Sequence, residues 1–344
     1  MENFDPSGVG IANGNIFGFP VEEIDAEIIL IPVPWDVTAS YGKGTSRGPE
    51  QILKASTQLD FFHPKLKDAH KTPVFMLPIS REAIKMNDEL VLKAMEYIDF
   101  LETGGKIKET TQFQGLLEKV NEAQKAIQKQ IKERSLALIK KGKTVGIVGG
   151  EHSVPLGLLE ALNQHYKDGF AVLQLDAHAD LREAYEGFEQ SHASIFYNAL
   201  KFDTILKLVQ VGIRDIAPVE VDFIIKNKNR ITTFYDHTIK EQLFEGKTWR
   251  GIVDEIIKEL PENVYLSYDI DVLHPSLCPN TGTPVPGGFQ LNEINFLLEK
   301  LVDAGKKIIG FDVCEVSNGN NRDWDANVGA RALWEVVVAC ERSR

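Results

Sequence analysis

Short apolar segments alternate with helix-like segments along most of this chain, and this alternation is the strongest constraint on its fold. The segments 144–148 and 170–175 are almost entirely apolar, which is typical of buried strands. A segment with helical spacing follows the first of them, at 155–165. Alternation of this kind produces a parallel sheet that is covered by helices on both faces. We therefore predict an α/β fold with a mostly parallel sheet.

The remaining elements are predicted from the same two patterns, which are short apolar runs for strands and helical spacing for helices. The predicted strands lie at 27–33, 74–77, 144–148, 170–175, 206–211, 231–234, 264–268 and 308–311. The predicted helices begin with a short one opened by Pro49 and continue at 80–100, 116–141, 155–165, 192–201, 218–228, 249–260, 291–304 and 328–340.

One domain over residues 1–344 is the predicted organisation, because no linker or repeat divides the chain. Residues 1–25 are rich in glycine and asparagine, and we expect an irregular N-terminal arm there. Residues 80–142 are expected to form a helical insertion of two helices. Thr111 and Gln114 match a capping box at the start of the second helix.

The formal net charge of −12 restricts the class of partner. It argues against nucleic acid and against an anionic membrane surface, because both require a basic face. It mildly favours a cationic substrate through long-range steering. The three cysteines are widely spaced and predict neither a disulfide framework nor a zinc ribbon. Since no signal peptide or membrane-spanning window is found, we expect a cytoplasmic protein.

An alternation of acid, histidine and acid follows the strand predicted at 170–175. Asp176, His178 and Asp180 would share one face if the backbone stayed extended beyond that strand. Two carboxylates and an imidazole on one side of a strand end are suited to a divalent cation and poorly suited to a core. On its own the pattern is also compatible with a turn, so its meaning depends on the other strands.

Two more predicted strands end in residue types that bind metals. His152 follows one of them, and Asp269 and Asp271 follow another. Ligands in open α/β sheets bind beyond the carboxyl ends of the strands, so we expect these side chains to converge. Four carboxylates in one place repel one another unless cations neutralise them. The set therefore predicts two divalent metal ions, and the lack of thiolates favours manganese over structural zinc. The predicted ligands are His152, Asp176, His178, Asp180, Asp269 and Asp271.

Taken together, these motifs make the chain resemble the ureohydrolase family, which comprises arginases, agmatinases and related guanidino-group hydrolases. The resemblance extends from the loop at 32–49 to the C-terminal helix. The motifs that carry it are Gly-Gly-Glu-His-Ser at 149–153, Asp-Ala-His-Ala-Asp at 176–180, Ser-His-Ala-Ser at 191–194, Ser-Tyr-Asp-Ile-Asp at 267–271, Thr-Gly-Thr-Pro-Val-Pro-Gly-Gly at 281–288 and Asp-Val-Cys-Glu at 312–315.

The resemblance implies a three-layer α/β/α sandwich with a mostly parallel, doubly wound central sheet. It implies two Mn²⁺ ions per chain, with Ni²⁺ or Co²⁺ as alternatives, and hydrolysis of a guanidinium group to urea and an amine. His192 matches the proton-shuttling histidine of the family, and Glu315 matches the acid that holds the substrate guanidinium. The resemblance also implies a homotrimer or homohexamer.

Residues 181–190, which precede the shuttle histidine, look like the agmatinase branch of the family. Glu183 would favour a substrate with an amine tail, whereas Arg182 could hold a carboxylate. Both are candidates for substrate binding, and both could equally be solvated loop charges. We predict hydrolysis of agmatine to putrescine and urea. The alternatives are an arginase or another guanidino-compound hydrolase, acting on guanidinobutyrate, guanidine or formiminoglutamate.

The sequence departs from the family pattern at one position, and two other functions are disfavoured. His274 stands where the family usually has a third acid, at a position that is generally structural. A phosphoester hydrolase is disfavoured, because no phosphate-binding glycine loop lies at the site and Glu315 would repel phosphate. A catalytically silent relative is disfavoured by the intact set of ligands and by His192.

Overall fold

A parallel sheet lies at the centre of the described part of the chain. The computed structural model describes residues 4–106, 111–319 and 323–344. The strands found there are β1 (Ile28–Val33), β2 (Val74–Met76), β3 (Thr144–Gly149), β4 (Phe170–Leu175), β5 (Ile205–Val211), β6 (Ile231–Phe234), β7 (Asn263–Asp269) and β8 (Lys307–Cys314).

The order of the strands determines where a site can form. Within the described residues, the eight strands are ordered β2-β1-β3-β8-β7-β4-β5-β6, and every pairing is parallel. The chain builds one half with β1–β3 and the other with β4–β6, and β7 and β8 then fill the centre. Ligand crevices of doubly wound sheets form where the winding reverses. The carboxyl ends of β3, β8, β7 and β4 therefore lie side by side at the centre of one edge.

All six residues of β4 are buried, which indicates that helices cover both faces of this sheet. No helix in the described ranges is long and apolar enough to cross a membrane. The helices are α1 (Gly48–Ser56), α2 (Arg81–Glu102), α3 (Thr111–Ile139), α4 (Leu156–His165), α5 (Ile195–Ala199), α6 (Pro218–Lys226), α7 (Asp236–Phe244), α8 (Trp249–Lys258), α9 (Leu291–Asp303) and α10 (Trp324–Arg342).

The predicted α/β fold class with a parallel, doubly wound sheet is confirmed, and the differences concern individual elements. Helix α7 was not predicted, because it is short and buries only Asp236 and Ile239. Strand β8 continues to Cys314, beyond its predicted end at residue 311. The helix predicted at 192–201 is a 3-10 turn followed by the five-residue helix α5. Helix α10 begins at Trp324 and not at residue 328.

The N-terminal arm is packed against the body of the protein. Phe17 and Phe19 are buried, and their rings lie 5.1 Å from Trp334 and 4.8 Å from Phe61, respectively. Aromatic pairs at such spacings stabilise beyond the area that they bury. Residues 1–3 of the arm lie outside the described residues.

The segment at 80–142 contains two long helices. Helix α2 begins after Ser80, whose hydroxyl accepts a hydrogen bond of 3.2 Å from the Ala83 amide. Residues 107–110 and the side chains of Thr111 and Gln114 lie outside the described residues, so the capping box stays a prediction. The division of the chain into one domain with an arm and a helical insertion also stays a prediction.

Two glycine-to-alanine substitutions are expected to change stability in opposite directions. A Cβ at Gly146, on β3, would lie 2.3 Å from the Phe311 ring and 2.8 Å from Leu30. Overpacking of this kind costs about 1–3 kcal/mol, so Gly146→Ala should lower the free energy of unfolding. Gly115, in α3, has open space around it, and Gly115→Ala should raise that free energy by about 0.5–1 kcal/mol. Urea unfolding of both variants tests this, and a stable Gly146→Ala protein would contradict it.

Candidate functional site

Four neighbouring strands deliver acidic and histidine side chains to one edge of the sheet. The 3-10 turn Ile270–Val272 follows β7 directly and extends the row by one more acid. The residues delivered are His152 after β3, Asp176, His178 and Asp180 after β4, Asp269 at the end of β7, Asp271 in the turn after it, and Glu315 after β8.

One group of carboxylates surrounds the buried imidazole of His152. Its Nδ1 atom lies 3.0 Å from Oδ2 of Asp176 and 3.1 Å from Oδ2 of Asp180. The same nitrogen lies 3.3 Å from Oδ2 of Asp269. Three carboxylate oxygens therefore converge on a single nitrogen in the interior of the protein.

A second group forms around His178. Its Nδ1 atom lies 2.9 Å from Oδ2 of Asp271 and 3.6 Å from Oδ1 of Asp176. Asp176 thus directs one carboxylate oxygen towards each histidine. The ligand atoms of His152, Asp176 and Asp269 lie within 4.8 Å of one another, and so do those of Asp176, His178 and Asp271, which is a spacing suited to a metal ion. A carboxylate that faces two such groups can bridge two ions.

The backbone after β4 turns, which corrects the expectation of an extended segment. The strand ends at Leu175, and Asp180 has a φ of 53°, in the left-handed region. Asp176 accepts hydrogen bonds from the amide of His178, at 2.6 Å, and from the side chain of Gln174, at 2.9 Å. The turn, and not a shared strand face, brings Asp176 and Asp180 to the same histidine.

Buried polar residues of β7 and β8 orient His152 from behind. Oδ2 of Asp312 accepts hydrogen bonds from the hydroxyls of Tyr265, at 2.7 Å, and Ser267, at 2.8 Å. Because Ser267 donates to Asp312, its oxygen accepts the proton of His152 Nε2, which lies 2.8 Å away. Nδ1 is then the atom that faces the carboxylates, and it would bind a metal ion in its unprotonated form.

This arrangement is electrostatically incomplete without a cation. Burial raises the pKa of Asp180 to about 7, and repulsion from Asp176 adds to the effect. Burial also raises the pKa of Asp269 well above its usual range, together with the charges of Asp271 and Asp176. Among the described residues, His152 Nδ1 and Asp271 Oδ2 are buried and have no hydrogen-bond partner outside the two groups. Divalent cations would neutralise the carboxylates and occupy these free positions, so the donor set fits two metal ions.

Glu315 lies next to this centre, and only one of its two carboxylate oxygens accepts a hydrogen bond among the described residues. Its Oε1 accepts a hydrogen bond of 2.8 Å from the His152 amide, whereas Oε2 is buried without a partner among the described residues. The backbone at Glu315 has a φ of 64°, and the Thr281 hydroxyl holds its carbonyl at 2.8 Å. Burial, and then the nearby Glu151, raise the pKa of Glu315 well above its usual range. A cationic group at Oε2 would restore the charged form.

His192 lies across the centre from the sheet, in the turn before α5. Its Nε2 atom is 3.2 Å from Oγ of Ser40, and its ring meets the Tyr185 ring edge-on at 5.9 Å. Burial lowers the pKa of His192 to about 3, with further contributions from His178 and Lys43. The imidazole is therefore neutral at neutral pH.

A cavity of about 140 Å³ opens beside the two groups. Arg182 lines it, but its guanidinium stacks 4.6 Å above the Tyr185 ring and its Nε lies 3.9 Å from Oε2 of Glu220. Glu183 is exposed and is not part of the lining. The lining consists of Ser40, His178, Asp180, Arg182, Tyr185, His192, Ala193, Asp215, Ile216, Ala217, Glu220 and Thr283.

Sequence reasoning missed several of these positions. Ser267 and Asp312 were part of quoted motifs, but no role was assigned to them, although polar residues inside buried strands are a usable signal. Ser40 and Tyr185 give no such signal, because they reach the cavity from loops. His274 lies in a surface loop, where its Nδ1 contacts Oγ of Ser276 at 2.8 Å, and it belongs to neither metal-ligand group.

Known proteins resemble this chain over nearly its whole length. The model of the arginase family matches residues 26–339. An N(1)-aminopropylagmatine ureohydrolase of Thermus thermophilus is 34% identical over 298 residues, which cover 87% of this chain and 84% of the relative. An agmatinase of Neisseria meningitidis is 28% identical, covering 92% of this chain and 87% of the relative. The crystal structure of agmatine ureohydrolase of Thermoplasma volcanium superimposes with a TM-score of 0.72 at 21% identity, covering 95% and 94% of the two chains, which supports the fold.

Metal binding can be tested through the shared carboxylate. Asp176→Asn keeps the size of the side chain and removes its charge from both groups, so affinity for both ions should fall by more than about 100-fold. Titration calorimetry with Mn²⁺ should show two ions per chain for the unmodified protein. Asp215→Asn is the matched control, because Asp215 lines the cavity but belongs to neither group. Two ions bound with unchanged affinity by Asp176→Asn would contradict the assignment.

Proposed function

Because this chain belongs to the arginase family, we propose that it is a dinuclear-metal hydrolase that releases urea from the guanidino group of a small cationic substrate. The observation that carries the proposal is the pair of ligand groups that share Asp176 and lie beside the cavity. Hydrolysis of an unreactive guanidinium needs both a strong nucleophile and charge stabilisation, and two neighbouring metal ions provide these in many hydrolases.

We assign the metal ligands by the geometry of the two groups. Asp176 would contribute one oxygen to each ion, since its two oxygens face different histidines. The first ion would be held by His152, Asp176, Asp180 and Asp269, and the second by Asp176, His178 and Asp271. When bound, the two ions supply water activation at neutral pH and neutralise the buried carboxylates. Ligands of this type favour Mn²⁺, with Ni²⁺ or Co²⁺ as alternatives.

Glu315 is the proposed anchor for the guanidinium. A planar guanidinium pairs best with a carboxylate in fork geometry, through two parallel hydrogen bonds. Oε1 of Glu315 is already held by the His152 amide, which fixes the carboxylate in place, and Oε2 is free to accept. The substrate charge would also lower the raised pKa of Glu315 and keep it ionised.

His192 is the proposed proton carrier. The tetrahedral intermediate can expel an amine only if the leaving nitrogen receives a proton. His192 lines the cavity and is neutral before the reaction, so it can accept the proton that the attacking water releases and pass it to the leaving nitrogen. A buried imidazole beside two further histidines favours this transient role over a permanent charge.

The cavity favours a substrate with an amine tail, and we propose agmatine, which would give putrescine and urea. Glu220 lies 3.9 Å from Arg182 and the Tyr185 ring stacks on its guanidinium, so its charge is partly offset and less suited to hold a substrate carboxylate, as arginine or guanidinobutyrate would require. Asp215 lines the same cavity and can attract an ammonium group. N(1)-aminopropylagmatine is the second candidate, because the relative of that name is 34% identical. A role in polyamine metabolism, a homotrimeric or homohexameric assembly and a cytoplasmic location are further proposals.

Urea release from a panel of guanidino compounds tests the substrate class. With Mn²⁺ present, kcat/KM for agmatine or N(1)-aminopropylagmatine should exceed that for arginine, guanidinobutyrate and guanidine by at least about tenfold, or 1.4 kcal/mol. Protein stripped of metal by a chelator is the control. A preference for arginine or guanidinobutyrate would refute the amine-tail proposal.

Glu315→Gln tests the guanidinium anchor. The amide has the same shape but cannot form a charge-assisted pair, which is worth about 1.5–3 kcal/mol. We expect kcat/KM to fall roughly 10- to 150-fold, while calorimetry still shows two bound metal ions. Glu262→Gln is the matched control, since Glu262 is exposed and pairs with Lys307 at 2.6 Å. Equal activity of the two variants would exclude Glu315 as the anchor.

A further inference from the structure

The loop 34–47 reaches the cavity and places one hydroxyl against His192. Oγ of Ser40 lies 3.2 Å from Nε2 of His192, and both residues line the substrate cavity. The Ser40 side chain also interacts with Tyr185, whose ring packs on the edge of the His192 ring. The imidazole is thereby held by a hydrogen bond at one nitrogen and by an aromatic contact at its edge.

The backbone around Ser40 is fixed by anchors that do not involve its hydroxyl. The ammonium of Lys43 donates to the carbonyl of Ala39, the residue before Ser40, and to the carbonyls of Asp36 and Val37 at 3.3 and 3.4 Å. The Thr38 hydroxyl donates to the buried carboxylate of Glu151 at 2.6 Å. Removal of the Ser40 hydroxyl should therefore leave the path of the loop unchanged.

The far end of the loop is anchored in the same way. Oδ2 of Asp36 accepts hydrogen bonds from the amides of Gly44, at 2.8 Å, and Ser46, at 3.1 Å. The amide of Gly42 donates to the carbonyl of Gly282 at 2.9 Å. These hydrogen bonds fix the loop and hold Ser40 in one position. A side chain can orient another only if it is itself held in place.

A hydroxyl suits a histidine that must change its protonation state. When Nε2 keeps its proton and donates it to Oγ of Ser40, Nδ1 is the ring nitrogen left to gain and lose a proton. The contact at Nε2 is then the same before and after the proton moves, and a neutral hydroxyl, unlike a carboxylate, does not hold the imidazole in its charged form. The chemistry of the hydroxyl and the fixed loop together allow Ser40 to orient His192, and neither feature would establish this role alone.

We propose that Ser40 is a positioning residue that holds the His192 imidazole in the orientation from which it exchanges a proton with the leaving nitrogen of the substrate. This inference rests on the proposed function, because it takes His192 as the proton carrier. Ser40 itself undergoes no change of bonding, because His192 takes the proton from the attacking water and gives it to the leaving nitrogen.

The kinetic test is Ser40→Ala with Mn²⁺-loaded protein and the best substrate of the panel. Misplacement of a catalytic group costs about 10- to 100-fold in rate, so kcat should fall by this factor while KM changes less than about threefold. Ser40→Thr keeps a hydroxyl and should recover most of the rate. Tyr41→Phe is the matched control, because it removes a hydroxyl from the same loop at a side chain that is 81% exposed. Unchanged kcat in Ser40→Ala, or a rise in KM alone, would overturn the proposal.

A second readout does not depend on activity. The ¹⁵N chemical shifts of the His192 ring, assigned by comparison with His192→Ala, report which nitrogen carries the proton. We expect one tautomer in the unmodified protein and in Ser40→Thr, and a mixture of tautomers in Ser40→Ala. Identical ring shifts in all three proteins would overturn the positioning role. If the unmodified protein releases no urea from any compound, the proposed function fails, and the ring shifts still decide whether Ser40 orients His192.

Discussion

Mutual repulsion among buried carboxylates is the constraint on which the rest of this structure depends. Asp176 directs its two oxygens to two different histidines, and Asp180, Asp269 and Asp271 lie in the same interior space. So many negative charges are tolerated inside a protein only if positive charge is bound among them. The surroundings support this requirement, because Asp312 and Ser267 orient His152 so that its Nδ1 faces the acids.

The order of the strands makes this concentration of charge geometrically feasible. Because β7 and β8 are inserted between β3 and β4, residues from four distant parts of the chain end in one row. Hydrogen bonds within the parallel sheet hold that row rigidly, and a metal centre requires ligands with little freedom. The loops above the row contribute Ser40, Tyr185 and His192 to the cavity.

The cavity shows how the surroundings of a charge determine its function. Arg182 would favour a carboxylate-bearing substrate if it were free, but Glu220 and the Tyr185 ring engage it. Glu220 is itself buried and accepts hydrogen bonds from two backbone amides, at Leu181 and Ala217. The pair therefore acts as part of the wall, and the acidic Asp215 remains available to an ammonium group. The proposed preference for an amine tail rests on this pairing and on the negative net charge together.

The sequence by itself determined the fold class and the residue types of the site, since apolar runs, helical spacing and the acids behind each strand are local properties. His152, Asp176 and Asp269 can thus be grouped from these local patterns alone. Only the tertiary structure decided that Asp176 faces both histidines, that Asp312 and Ser267 orient His152, that Arg182 lies beside Glu220 and Tyr185 and that Ser40 touches His192. These contacts join segments far apart in the chain, and they depend on strand order and loop paths, which no local pattern encodes.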